Sequence, residues 1–451
     1  MKTKSTLRYL LIGLVPLIFS AGSAAMRLAA QSRSQSSDPL ATTSLNLVSE
    51  TEVGLEIEGR SPGASWSRPG AEAAALLVFV DGVYNQDLLL WAGDELFHYR
   101  VLVGRLSKGK HTISVALNSA RSAPQVQRAE VRELRPLPVV SASESKYDDD
   151  DRFAFSHSPF LYARANTIDR FTDLPLLMYY EILHEGAHDL IVRYTAIFTN
   201  EDGGTQTAAL MSRWGRATDI EWVLQLRVRD GKIIEETYQG VEHETKAFSG
   251  SRTNGSHPLL ATASDNNNFS DLACSAVRFA PLPTRAHLET ATRESVMDAY
   301  PQSYRVMTEE LIREKRISDM PANINTIADP REYLYIEASS VQSGSALAFD
   351  VKVTGQTNMF SSDMGEARLR IDRSGNFRTA VHLPKGASPS MLESVTARCH
   401  ETAEPIEKRG CYNLKLLRVL MLDQAFIPRE IPFPSLPASS LTAGEVKVLK
   451  R

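Results

Sequence analysis

The sequence predicts a mostly β protein, built from tandem antiparallel β-sandwiches with a short helical connection. Short runs of alternating apolar and polar residues recur along the chain, and turn residues such as Asp81-Gly82 separate them. The length of 451 residues exceeds what one hydrophobic core normally organises, so several domains are expected. A net charge of -4 and 43% hydrophobic residues are typical of globular proteins and argue against a nucleic acid partner.

The first residues have the features of an export signal. Lys2, Lys4 and Arg8 precede an apolar run over 9–19, and small residues follow up to Ala25. This order predicts a signal peptide over residues 1–25. The apolar run is shorter than the ~20 residues that a membrane-spanning helix needs. We therefore expect a secreted or periplasmic protein with no transmembrane anchor after signal cleavage.

Shifts in composition divide the rest of the chain. A region rich in Ser, Thr and Gln precedes the first β pattern, an acidic run at 148–151 precedes the second, and prolines dominate the end. The predicted units are a flexible arm (26–51), an N-terminal β-sandwich (52–136), an acidic linker (137–152), a central β-sandwich domain (153–281), a helical connector (282–328), a C-terminal β-sandwich (329–427) and a Pro-rich tail (428–451).

The N-terminal unit contains four aromatic residues that are candidates for stacking on sugar rings. Two of them lie on a predicted hairpin over 75–91, whose turn is Asp81-Gly82, and the other two follow it. Filling the sandwich core is the simpler interpretation, because aromatic side chains dominate the cores of such units. The four residues are Tyr84, Trp91, Phe97 and Tyr99.

Two further patterns concern the later part of the chain. In the connector, Tyr304, Met307 and Leu311 form an apolar stripe at helical spacing, after a proline suited to a first helical turn. In the C-terminal unit, Cys399 and Cys411 flank a loop-like segment, so a disulfide between them is the natural pairing. Cys274 is then left as a buried thiol.

The most informative segment is a strongly alternating strand predicted over 219–229. Asp219 and Glu221 lie on its polar face, with roughly 7 Å between their Cα atoms. Oxygen-rich loops lie on either side in sequence, at 200–204 and 265–271. The polar face is therefore a candidate site, if these loops approach it.

Three interpretations of this face stay open. A calcium site would use Asp219 and Glu221 with loop oxygens from Asp202, Asp265 and Asn267. A hydrolytic site would use the two carboxylates as acid and base, with His243 or His257 as proton carrier. On an ordinary solvated sheet face, the carboxylates would instead pair with Arg193 or Arg227.

Residues 153–281 also resemble a known family. The spacing Gly215-x3-Asp219-x-Glu221 resembles the Gly-His-Arg-His-Asp-Trp-Glu heptapeptide of necrosis-inducing-like secreted proteins, and the layout resembles the related vacuolar-sorting-like domain. An aromatic strand over 194–198 and His257-Pro258 follow the same order as in those domains. The two histidines of the heptapeptide are absent here. The resemblance therefore implies a secreted β-sandwich domain and does not extend to metal binding or membrane toxicity.

These patterns predict an exported multi-domain binding protein of the cell exterior that recognises a glycan or surface ligand, with calcium as a possible cofactor. The alternative is a secreted hydrolase that uses Asp219, Glu221 and a histidine. The letters His184-Glu185-Gly186-Ala187-His188 match a zinc protease motif, but Gly186 and the strand that follows favour a turn. Whether the carboxylates and histidines converge distinguishes these functions.

Overall fold

The computed structural model describes residues 38–139, 148–164, 171–186, 189–201, 203–272, 274–319, 324–404, 407–433 and 437–450. The predicted signal peptide lies outside these ranges. Within them the chain is mostly β, with several antiparallel sheets and few helices, as predicted. None of the helices in these ranges is long and apolar enough to cross a membrane.

Seven strands form the N-terminal β-sandwich, in sheets of order β1-β6-β3-β4 and β5-β2-β7. Their bounds are β1 (Ala41–Leu47), β2 (Thr51–Arg60), β3 (Ala75–Val80), β4 (Val83–Leu89), β5 (Phe97–Leu106), β6 (Gly109–Leu117) and β7 (Glu130–Pro138). The core between the sheets includes Val53, Leu55 and Ile57, all fully buried.

The flexible arm predicted over 26–51 is wrong in its last part, because β1 pairs antiparallel with β6. Leu45 and Leu47 on this strand pack on the sandwich core, while Ser44 and Asn46 are exposed. The Ser- and Thr-rich composition indicated flexibility, although buried and exposed residues alternate along this strand. Residues 26–37 lie outside the described ranges.

The acidic linker predicted over 137–152 is also wrong, because its last residues begin a helix, α1 (Asp149–His157). The Asp148 side chain accepts a hydrogen bond from the Asp151 backbone N–H, and the Asp151 side chain accepts one from the Asp148 N–H. Carboxylates at a helix N-terminus are stabilised by the unpaired N–H groups there. The acidic run therefore forms the N-cap and the first turn of helix α1.

The central domain packs two sheets with helix α1 and with a second helix, α2 (Thr207–Trp214). One sheet has the order β13-β12-β11-β10-β9-β18, and the other has the order β14-β15-β8-β17, with β16 paired to β15. The strands are β8 (Phe160–Tyr162), β9 (Pro175–His184), β10 (Asp189–Phe198), β11 (Ile220–Arg229), β12 (Lys232–Gln239), β13 (Thr245–Ala247), β14 (Arg252–Thr253), β15 (His257–Thr262), β16 (Phe269–Ser270), β17 (Arg278–Phe279) and β18 (Thr284–Arg285).

Two helices connect the central and C-terminal domains, α3 (Ser295–Asp298) and α4 (Gln302–Arg313). The predicted apolar stripe of Tyr304, Met307 and Leu311 is fully buried. It lies in a cluster that also contains Ile197 of the central domain and Tyr335 of the C-terminal one. The connector thus shares a hydrophobic core with both neighbours.

The C-terminal β-sandwich has sheets of order β22-β19-β24-β25, with β26 paired to β24, and β21-β20-β23-β27. The strands are β19 (Tyr333–Ser343), β20 (Ser345–Val353), β21 (Phe360–Ser361), β22 (Gly375–His382), β23 (Leu392–Glu401), β24 (Gly410–Leu422), β25 (Pro428–Glu430), β26 (Ser439–Thr442) and β27 (Val446–Lys450). The tail predicted over 428–451 is wrong, since three of these strands fall within it.

The predicted disulfide between Cys399 and Cys411 is confirmed, with 6.0 Å between their Cα atoms. Cys399 lies on β23 and Cys411 on β24, so the bond joins the two sheets of the C-terminal sandwich. Cys274 is a free, partly buried thiol.

Candidate functional sites

The two predicted carboxylates lie at the start of β11. Asp219 immediately precedes the strand and is only 2% exposed, while Glu221 lies on it with 15% of its side chain exposed. The turn from α2 into this strand requires Gly215, which has φ 64°. A Cβ added there would lie 2.7 Å from the Arg378 Cγ. The backbone that positions Asp219 is therefore tightly constrained.

Side-chain amides hold both carboxylates. Asn267 donates from Nδ2 to Asp219 Oδ2 (3.0 Å) and to Asp173 Oδ1 (3.1 Å). Gln239 donates from Nε2 to Glu221 Oε2 (2.5 Å) and also contacts His243 Nδ1. His243 Nδ1 lies 3.8 Å from Glu221 Oε2, and the His243 side chain is 52% exposed. Asp219, Glu221, His243 and Asn267 thus come together.

The two oxygen-rich loops also meet beside these residues. A Cβ added to Gly203 would lie 2.8 Å from the Asp265 Cβ, and one added to Gly204 would lie 3.1 Å from Asn266 Oδ1 and 3.4 Å from Glu201 Oε1. Glu201 is 4% exposed. We call Glu201, Asp219, Glu221, Gln239 and Asn267 the oxygen cluster.

Burial changes the acidity of the oxygen cluster. Burial, together with the smaller effect of the Asp219 charge, raises the pKa of Glu221 to about 8 and the pKa of Glu201 to about 8. Burial also raises the pKa of Asp219, against the opposing effect of the Arg216 charge. A carboxyl group that keeps its proton near neutral pH has the protonation state of a general acid.

Three oxygens of the cluster are buried without a hydrogen-bond partner: Glu201 Oε1, Gln239 Oε1 and Asn267 Oδ1. Leaving a buried acceptor unsatisfied costs about 1–3 kcal/mol, so such atoms usually contact water or an ion. Over the described ranges, no group of three or more His, Cys, Asp or Glu side chains is placed to hold a metal ion. A cation bound to the oxygen cluster would therefore need amide oxygens, in addition to carboxylate oxygens, among its ligands.

Two predicted site residues, His257 and Asp265, do not join the oxygen cluster. His257 lies on β15, in the other sheet, and its buried ring contacts Ser158 O and Glu52 Oε2. The Asp265 side chain is 73% exposed and forms an ion pair with Arg164. Asp202 lies outside the described ranges. Arg227 contacts Glu185 and Arg193 contacts Gln225, so neither arginine pairs with Asp219 or Glu221.

A second candidate site is a cleft of about 540 Å³ between the N-terminal sandwich, the central domain and the segment joining α3 to α4. Phe97 and Tyr300 line it with half-buried rings, while Trp91 and Tyr99 also border it but are only 4% and 2% exposed and belong to the hydrophobic core. The ring centroids of Phe97 lie 4.7 Å from Trp91, 4.9 Å from Tyr99 and 6.5 Å from Tyr300. Of the predicted aromatic group, only Tyr84 does not line this cleft. We call it the aromatic cleft.

Hydrogen bonds between domains fix the walls of the aromatic cleft. Leu102 N–H donates to Ala280 O (2.7 Å), and Leu282 N–H donates to Arg100 O (3.0 Å). Gln86 Oε1 accepts from Ala280 N–H (2.8 Å), so its amide supports the wall. The sequence did not indicate the contributions of Tyr300 or of residues 175–178, because these segments meet only in the folded chain.

Comparisons with known proteins add little. No protein-family model and no curated protein matches this chain. One similar solved structure is described as the C-terminal domain of EclA, a sugar-binding protein. It is 14% identical over 24% of this chain and 74% of that one, with a TM-score of 0.18. A TM-score this low supports no argument about function. The resemblance to necrosis-inducing-like proteins stays a prediction.

Proposed function

We propose that this protein is an exported binding protein that takes a glycan into the aromatic cleft. The observation that carries the proposal is a cleft of about 540 Å³ to which Phe97 and Tyr300 present half-buried rings, with the buried rings of Trp91 and Tyr99 behind them. Pockets for small ligands span about 300–1,000 Å³ and combine apolar walls with a few polar groups. Aromatic faces suit the apolar faces of sugar rings, and the exposed His98 and the half-exposed Arg100 add polar groups at the rim.

The test is a titration of the mature protein with neutral mono- and oligosaccharides, followed by calorimetry and by tryptophan fluorescence. We expect saturable binding and a change in emission, because Trp91 lines the cleft. Trp91→Phe should keep binding and lose the emission change, since phenylalanine still offers an apolar ring. Absence of binding across the panel would reject the proposal, and an unchanged emission response in Trp91→Phe would place binding elsewhere.

The oxygen cluster supports a second candidate function, calcium binding. Calcium prefers carboxylate and amide oxygens, and three such oxygens here are buried without partners. A bound cation would also offset the repulsion that Asp219 exerts on Glu201 and Glu221. The cluster lies at the meeting point of two loops, so calcium would stabilise that junction.

Calcium should therefore raise the melting temperature, and a chelator should reverse the rise. At 100 times the dissociation constant, the stabilisation would be about 2.7 kcal/mol. Asp219→Asn should lose this response. Glu310→Gln should keep it, because Glu310 is a fully buried carboxyl of α4, outside the cluster. The same response in Asp219→Asn as in the parent would place calcium elsewhere, and no response in the parent would reject the site.

A further inference from the structure

The aromatic cleft contains a guanidinium group with unused hydrogen-bond donors. Arg100 of β5 lines the cleft, and 48% of its side chain is exposed. Its Nε donates to Glu56 Oε2 (2.7 Å). Among the described residues, Glu56 is the one hydrogen-bond and ion-pair partner of this side chain. The two terminal nitrogens of Arg100 therefore keep their N–H groups for an acceptor that enters the cleft.

Glu56 does not cancel the positive charge of Arg100, because a second arginine shares the same carboxylate. Arg135 of β7 donates to Glu56 Oε1, and the Glu56 side chain is only 6% exposed. Two guanidinium groups on one carboxylate leave a positive charge in excess. The next carboxylate along β2, Glu58, lies 3.9 Å from His98 Nε2 and outside the lining of the cleft.

The one carboxylate that borders the cleft is not free to repel an anion there. Asp87 is 1% exposed and accepts hydrogen bonds from the Tyr84 hydroxyl and from Asn118 Nδ2 (3.0 Å). Its charge is thus directed into the N-terminal sandwich. Among the described residues that line the cleft, Arg100 is the permanently charged group that solvent reaches.

Strand β5 places an aromatic ring and this guanidinium along the same cleft. It is the edge strand of its sheet, and residues from both of its faces line the cleft, with Phe97 on one face and Arg100 on the other. Three residues along a strand span about 10 Å. This distance is longer than one sugar ring, so a ligand that contacts both residues has at least two sugar units.

We propose that the aromatic cleft selects an acidic oligosaccharide, with one sugar ring on Phe97 and Tyr300 and the carboxylate of a neighbouring uronic acid on the terminal nitrogens of Arg100. A guanidinium group presents parallel N–H groups that match the two oxygens of a carboxylate. This inference rests on the proposed function, because it assigns to Arg100 the choice between neutral and acidic sugars in the same cleft.

Calorimetry of the mature protein with a matched pair of trisaccharides tests the inference. The two sugars share linkage and ring configuration, and the acidic one has each C6 hydroxymethyl group oxidised to a carboxylate. At neutral pH and low salt, we expect the acidic sugar to bind about fivefold to tenfold more tightly, a limit set by the exposure of Arg100. The net charge of -4 on the whole chain opposes non-specific attraction of an acidic sugar.

Salt provides a second measurement on the parent protein. At about 1 M salt the Debye length is about 3 Å, so the preference for the acidic sugar should decrease. The affinity for the neutral sugar should change little, because stacking on aromatic rings involves no net charge. A preference that is the same at low and high salt would overturn the role of a charged group.

Two variants locate the preference. Arg100→Gln should bring the ratio of acidic to neutral affinity close to one, and the Arg135 contact keeps Glu56 paired in this variant. Arg60→Gln is the matched control, because Arg60 forms a one-to-one ion pair with Glu130 on the same sandwich, outside the cleft. It should keep the ratio of the parent. A preference that survives in Arg100→Gln would overturn the assignment of Arg100.

The two proposals fail in different ways. Equal affinity of the parent for both sugars would overturn the selection of acidic sugars and leave glycan binding in place. Absence of binding by either sugar would reject the proposed function, and this inference with it. If Arg100→Gln does not fold, the ratio of the two affinities in the parent and its salt dependence decide.

Discussion

The aromatic cleft and the oxygen cluster use their polar groups in opposite ways. In the cleft, the Gln86 amide bonds the backbone of Ala280 and supports the wall, while aromatic faces line the space. In the cluster, Glu201, Gln239 and Asn267 each keep a buried oxygen without a partner. The cleft is thus a preformed cavity with satisfied walls, and the cluster is a closed site with unsatisfied oxygens.

This difference indicates what each region can bind. A cavity whose walls are held by hydrogen bonds between domains can accept a ring-shaped ligand without large rearrangement, which reduces the cost of binding. A closed group of oxygens has no room for such a ligand, but a proton or small cation would lower its energy. The hydrolase alternative at Glu221 stays a prediction.

The largest expected effect concerns the wall of the cleft. Tyr300 is half-buried and lies 6.5 Å from Phe97, so Tyr300→Ala should remove one stacking surface without opening the core. We expect glycan affinity to fall about tenfold to a hundredfold, equivalent to about 1.4–2.8 kcal/mol. Calorimetry would measure the loss.

A matched control separates this effect from a general loss of stability. Tyr412 is similarly half-buried, but it lies on β24 of the C-terminal sandwich. Tyr412→Ala should leave glycan affinity unchanged. Equal losses in both variants, or no loss in Tyr300→Ala, would show that the cleft wall does not contact the ligand.

Local sequence patterns were sufficient for the fold class and for part of the cluster. The alternation along 219–229 predicted a strand that carries Asp219 and Glu221, and the loop composition indicated Asn267, whereas the predicted Asp265 pairs with Arg164 instead. Gln239 was missed because its role depends on pairing between β11 and β12. The pairing of strands determines such neighbours, and the periodicity within one strand carries no information about that pairing.

Long-range packing explains the remaining errors. His257 belongs to a polar His-Pro segment, which favoured a proton carrier beside Glu221. The histidine instead faces Glu52, far away in sequence, because β15 lies in the second sheet of the central domain. The aromatic cleft likewise combines residues from five separated segments. Contacts of this kind arise from domain packing and have no local sequence signal.

A smaller effect should appear in the pH dependence of stability. Burial raises the pKa of Glu221 from 4.5 to about 8, so between these values the folded chain holds a proton that the unfolded chain releases. The stability that Glu221 contributes must then fall as the pH rises from about 5 to about 8, and this group adds no further slope above that range. Glu221→Gln keeps the shape without the proton. The variant's stability should therefore decrease less than the parent's between about pH 5 and about pH 8, and its melting temperature at pH 8 should be higher by about 2–4 °C.

The control for this prediction is an exposed carboxyl with the opposite shift. The Arg305 guanidinium lowers the pKa of Glu95, so Glu95 is ionised in both folded and unfolded chains across this pH range. Glu95→Gln should therefore leave the slope between about pH 5 and about pH 8 unchanged. A Glu221→Gln profile with the same slope as the parent's in this range would mean that Glu221 is ionised in the folded chain. The cluster would then be an ordinary set of ion pairs with Arg216 and Arg293, and its contrast with the aromatic cleft would disappear.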